Sequence, residues 1–99
     1  MKVEYSKAFV KAVKKLSGKM LHSVRKTIQE TKEADSVEYL CNCEKLIGCK
    51  NIYRLRIGNL RAFFFLQIDI ESNTVIFEYL VPRGASPQQE ISGKLKEER

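Results

Sequence analysis

The sequence has a single histidine, three cysteines and no apolar run approaching the ~20 residues that span a bilayer. Its opening, MKVEYSKAF, carries no apolar stretch of signal-peptide length, so the chain reads as cytoplasmic, with no membrane partner. An odd cysteine count without a secretion signal favours reduced thiols over disulfides. Cys41, Cys43 and Cys49 form a C-x-C-x5-C pattern without a convincing fourth ligand, because His22 falls on a separate helical segment. The thiols therefore read as free and partly buried, and no metal is implied. A lone histidine beside a helical apolar stripe is more often packing or surface than a general base. There is also no glycine-rich phosphate loop, no nucleophile elbow and no suggestive carboxylate pair, which removes support for metal- or cofactor-dependent catalysis.

Positive charge is what the sequence has in excess. The 99 residues carry a net charge of +6. Eight basic and two acidic residues fall within residues 1–31, so the excess sits in the first third and the rest is neutral in sum. A field of this sign favours polyanions or an acidic protein partner. The length suits one domain with one core.

Periodicity predicts the elements. Residues 3–5 read as a short strand, and Ser6 as the N-cap of a helix beginning at residue 7. Phe9, Val13, Leu16 and Met20 recur at three- and four-residue steps, then Leu21, Val24 and Ile28 continue beyond a break at Ser17-Gly18. This predicts two helices, residues 7–16 and 19–31, folded as a hairpin. Residues 32–51 read as a connector with one short helical piece. Residues 52–57, 60–70 and 74–81 are rich in β-branched and aromatic side chains and are separated by Gly58-Asn59 and Glu71-Ser72-Asn73, which predicts a three-stranded antiparallel meander. The expected architecture is α+β in β-α-α-β-β-β order: an N-terminal helical hairpin packed on one face of a small antiparallel sheet, with residues 3–5 at its edge and the other face free. Residues 1–84 form the domain, and 85–99 a polar tail whose composition admits either a helix or disorder.

Alternation along a strand puts Arg54 and Arg56 on one face. A two-residue turn at Gly58-Asn59 pairs Arg56 with Arg61 and Arg54 with Phe63, which gathers three arginines on one patch. Directly opposed like charges on neighbouring strands are unfavourable, so Arg56 facing Arg61 calls for an anion, and guanidinium binds phosphate in bidentate fashion. Phe63, Phe65 and Gln67 extend this face, and Arg83 leaves the last strand near it. Rings beside basic groups suit single-stranded nucleic acid, where bases stack and phosphates pair. The alternative is that the rings cover the sheet and the arginines are solvated or paired with Glu38, Glu44 or Glu78.

The run Leu46-Ile47-Gly48, then Tyr53-Arg54-Leu55-Arg56-Ile57-Gly58-Asn59-Leu60-Arg61, then Val75-Ile76-Phe77 and Val81-Pro82-Arg83-Gly84, resembles the RelE/ParE toxin superfamily of type II toxin–antitoxin modules over residues 1–84. The resemblance implies a toxin that cuts messenger RNA on the ribosome without metal or cofactor. Arg54, Arg56, Arg61 and Arg83 would then be the catalytic cations, and Tyr53, Phe63, Phe65 and Tyr79 the substrate-binding rings. It also implies an acidic cognate antitoxin as partner. Two alternatives stay open: a ParE-like inhibitor of DNA gyrase, and a catalytically degenerate RNA-binding member. Two features depart from the RelE pattern. Arginines stand at 54 and 56 where lysines are common, and no tyrosine is found after Tyr79. The general base is then sought among Tyr53, Tyr79 and Glu78.

Overall fold

The computed structural model describes residues 1–83 of the chain; the expectation for the polar tail lies outside them. A short strand, β1 (Lys2–Tyr5), leads into two helices, α1 (Lys7–Lys14) and α2 (Gly18–Glu33), and four further strands complete the order: β2 (Cys43–Lys45), β3 (Ile52–Ile57), β4 (Leu60–Ile68) and β5 (Asn73–Pro82). They form one five-stranded sheet in the order β1-β5-β4-β3-β2, antiparallel except where β1 runs parallel to β5.

Each early element starts where its local chemistry allows. The Ser6 hydroxyl accepts from the Phe9 N–H at 3.0 Å, satisfying one of the free donors of the first turn of α1. The helices part at Ser17-Gly18, where Gly18 takes φ +58°, a conformation open to glycine at no steric cost. A 3-10 turn at Val37–Tyr39 is the short helical piece expected of the connector. The strand β2 is not foreshadowed in the sequence. Its three residues, Cys-Glu-Lys, are too few and too polar to show a period, and only its pairing with β3 makes it a strand.

The main core lies between the helices and one sheet face. Phe9 and Val24 from the helices meet Leu55, Ile57, Leu60, Ala62, Phe64, Leu66, Val75, Phe77 and Leu80 from the strands. Phe9 and Phe77 stack with centroids 4.9 Å apart, and Phe64 meets Phe77 edge-on at 5.7 Å.

The opposite face departs from expectation, because it is not left free. Residues 46–51, between β2 and β3, fold back over it, and Leu46 and Cys49 form a second small core with Ile52 and Phe63, flanked by Phe65, Tyr79 and Val81. Asn51 makes this reversal at φ +59°, a left-handed conformation that asparagine tolerates better than most residues, and its carbonyl accepts from the Leu66 N–H at 2.8 Å.

A bulge in β5 decides which of its side chains share a face. Phe63 pairs with Tyr79 and Phe64 with Phe77, so Glu78 is one residue too many on its strand. Before it, Val75 and Phe77 point to the helices; after it, Leu80 does. Tyr79 and Val81, and by alternation Arg83, are thereby turned to the opposite face. Ser6 holds the bulge in place: its N–H donates to the Phe77 carbonyl at 2.8 Å, and its hydroxyl donates to the Glu78 carbonyl at 2.6 Å.

Candidate functional site

The β3–β4 hairpin places the arginines as the spacing predicts. Arg56 lies opposite Arg61 and Arg54 opposite Phe63 across a two-residue turn whose first position, Gly58, takes φ +56°. Arg61 bends back over that turn and donates to the carbonyls of Gly58 (3.1 Å) and Leu60 (2.9 Å). Arg83 is anchored beside the same turn by its backbone N–H, which donates to the Asn59 carbonyl at 2.6 Å. Partial desolvation, and then the positive charges of Arg56, Arg83 and Arg54, hold the Arg61 guanidinium below its ordinary pKa. The charges of the other three arginines thus all reach Arg61.

Arg54 is not open to a phosphate on every side. Its guanidinium forms a hydrogen-bonded ion pair with Glu44, directly opposite on β2. The hydrogen bond and charge of Arg54, aided by the charge of Arg56, hold the Glu44 carboxyl below its usual range, outweighing a small opposing effect of desolvation. The sequence suggests Glu44 only as one of three neutralising partners for the arginines. The signal that would have found it in this place was the length of the connection: residues 46–52 read as one hairpin loop set Lys45 against Tyr53 and Glu44 against Arg54. Glu44, Arg54 and Arg56 line a cavity of about 270 Å³ together with Asn42 and Cys43.

The aromatic residues divide. Tyr53 lies on the helix-packed face, stacked on Phe64 at 5.2 Å with a 9° interplanar angle, and so does not join the arginines. Phe63 is on the arginine face but only 4% exposed, sealed beneath residues 46–51, and offers no open ring to a base. Phe65 and Tyr79 are half-buried at the margin of the same small core. Gln67 is exposed. The cysteines separate as the free-thiol reading expects: Cys41 exposed, Cys43 half-buried and Cys49 buried. Burial first, and then the neighbouring Glu44 charge, push the Cys43 thiol up to about 11.

A helical hairpin on a five-stranded sheet, with a patch of arginines and a carboxylate on its second face, defines a small α+β domain with a basic sheet surface. No protein-family model matches the sequence. It is 32% identical over 84 residues to the toxin RelE3 of Methanocaldococcus jannaschii, an alignment spanning 84% of this chain and 91% of that protein. The chain belongs to the RelE/ParE toxin superfamily and is a toxin of the type II toxin–antitoxin kind; its similarity to a RelE toxin does not favour the ParE-like alternative. Solved structures agree in fold. The RelB–RelE complex of Methanococcus jannaschii superposes with a TM-score of 0.65 at 22% identity, covering 92% of this chain and 96% of that one. The isolated RelE toxin of E. coli gives 0.64 at 18%, covering 99% and 98%.

Proposed function

We propose that this chain is a metal-independent endoribonuclease acting on messenger RNA at the ribosome, held inactive by an acidic antitoxin. The observation that carries the reading is the gathering of Arg56 opposite Arg61, Arg83 anchored beside their turn, and Arg54 paired with the Glu44 carboxylate. Four cations crowded without enough acid to neutralise them raise the free energy of the empty site and lower it when a phosphodiester enters.

In this proposal the 2′-oxygen of the substrate attacks the adjacent phosphorus and passes its proton to the Glu44 carboxylate. The P–O5′ bond breaks, leaving a 2′,3′-cyclic phosphate and a 5′-hydroxyl that takes its proton from solvent. Arg56, Arg61 and Arg83 hold the charge that builds on the phosphorane oxygens, which arginine does without changing its own protonation. Arg54 orients Glu44 and keeps it ionised. This answers the departure at positions 54 and 56, since a site with a carboxylate base needs no lysine to lose a proton. Neither Tyr53 nor a tyrosine beyond Tyr79 is required.

The antitoxin is supported by relatives crystallised as RelB–RelE complexes from Methanococcus jannaschii and Pyrococcus horikoshii. An acidic chain laid over the arginines would neutralise the same charges that the substrate does.

The test is induced expression of wild type, Arg61→Ala and Arg83→Ala in a bacterial host, with mapping of messenger RNA 5′ ends. In-frame cuts and growth arrest that disappear in both variants support the reading. Arrest without cuts would overturn it.

A further inference from the structure

Beside the arginine cavity lies a second cavity of about 220 Å³, and the two share Asn42 and Arg56. It opens at the β2 edge of the sheet, between α2 and the 3-10 turn, and its lining includes Tyr39, Glu30, Thr27 and Cys41. Tyr39 is 74% exposed, leaving its ring open to solvent beside the cavity. Asn42 forms the step between the cavities: it sits at φ +59°, and its carbonyl accepts from the Arg56 N–H at 3.0 Å.

We propose that this second cavity is a nucleobase pocket, holding the base next to the phosphate that Arg56 engages. This deepens the ribonuclease reading and rests on it. An open tyrosine ring offers a stacking face to an unpaired base. Across from it, the Glu30 carboxylate accepts hydrogen bonds and donates none, so it selects a base edge that carries an exocyclic amino group, as adenine, cytosine and guanine do. Uracil presents carbonyl oxygens there and is disfavoured. The Asn42 side-chain amide can serve either edge.

The pocket carries its own reporter. Cys41 lines it and is exposed, whereas Cys43 is half-buried with a raised pKa and Cys49 is buried, so an alkylating reagent reads Cys41 first. The experiment measures binding of single-stranded tetraribonucleotides of A, C and U, and with each the rate of Cys41 alkylation. The proteins are wild type, Tyr39→Phe, Tyr39→Ala, Glu30→Gln and Arg61→Ala. Wild type should bind the A and C oligomers more tightly than U, and those two should slow alkylation. Tyr39→Ala should lose about 5- to 100-fold in affinity while Tyr39→Phe keeps most of it. Glu30→Gln should narrow the difference between U and the others. Binding without protection of Cys41, or an unchanged Tyr39→Ala affinity, would overturn the pocket and leave the arginine site standing. Failure of wild type to bind any oligomer would overturn the pocket, and the ribonuclease reading would then stand or fall on the in-frame cuts of the expression test.

Discussion

Phe63 separates the two roles a ring on this face can have. Sequence alternation sets it beside Arg54 as a stacking platform, whereas the structure buries it to 4% exposure against Leu46, Cys49 and Ile52. Truncating a buried phenylalanine to alanine removes its transfer free energy and leaves a cavity, together about 3–5 kcal/mol. Domains of this size are stable by about 5–15 kcal/mol, so Phe63→Ala removes a large part of the total and should lower Tm by roughly 12 °C or more. Phe63→Leu keeps most of the apolar volume and should cost about 1–2 kcal/mol, leaving the protein folded. Urea unfolding followed by circular dichroism measures both losses. RNA cleavage by Phe63→Leu, assayed well below its Tm, should match wild type. A base stacked on Phe63 would instead contribute about 1–3 kcal/mol, so its loss would cut kcat/KM by about 5- to 150-fold. A folded Phe63→Leu protein with a deficit of that size would refute the packing role given to this ring.

Other perturbations test the rest of the site. Glu44→Gln should lower the cleavage rate by about 10²–10⁴-fold and abolish the acid limb of the wild-type pH–rate profile; retention of that limb would exclude Glu44 as the base. Because the Glu44 carboxyl is held below its ordinary value of 4.5 in the folded protein, its ion pair adds stability that is present above that value and lost as pH falls through the lower folded one. Wild type should therefore lose more stability than Glu44→Gln on going below pH 4.5, as urea titrations at several pH values would show. Single-strand RNA affinity should fall with salt at a slope of about −0.7 per phosphate contact on a log–log plot, and Arg61→Ala should flatten it by about that amount. Ser6→Ala should destabilise by about 1–2 kcal/mol through the lost helix cap, measurable by chemical unfolding, and should also reduce cleavage, since Ser6 braces the bulge that orients Arg83.

What the sequence disclosed was what depends on near neighbours. The helical stripe of Phe9, Val13 and Val24, the capping by Ser6, and the Arg56–Arg61 register across Gly58-Asn59 each need only a few consecutive residues to be read, and each is present. The hidden features depend on distant pairing. Nothing within Cys-Glu-Lys announces β2, and nothing within residues 46–51 says that they will cover Phe63. The location of Tyr53 was legible, since it alternates with Arg54, yet the superfamily resemblance drew it into the site. Glu44 reached the arginines through β2, so missing the strand also hid the carboxylate.

The extra residue at Glu78 works as a phase slip. Upstream of it the core-facing positions of β5 are odd-numbered, and downstream they are even-numbered, as Phe77 and Leu80 show. Pairing Glu78 in regular alternation, with no residue lost, would leave hydrophobic content untouched yet turn Tyr79 and Arg83 toward the helices and Leu80 toward water. Deleting Glu78 would instead remove the bulge and keep their faces. Sequence alignments that close a gap at this point would equate residues from opposite sides of the sheet. Comparisons of Arg83 with other chains are therefore sound only when counted from the far side of the slip.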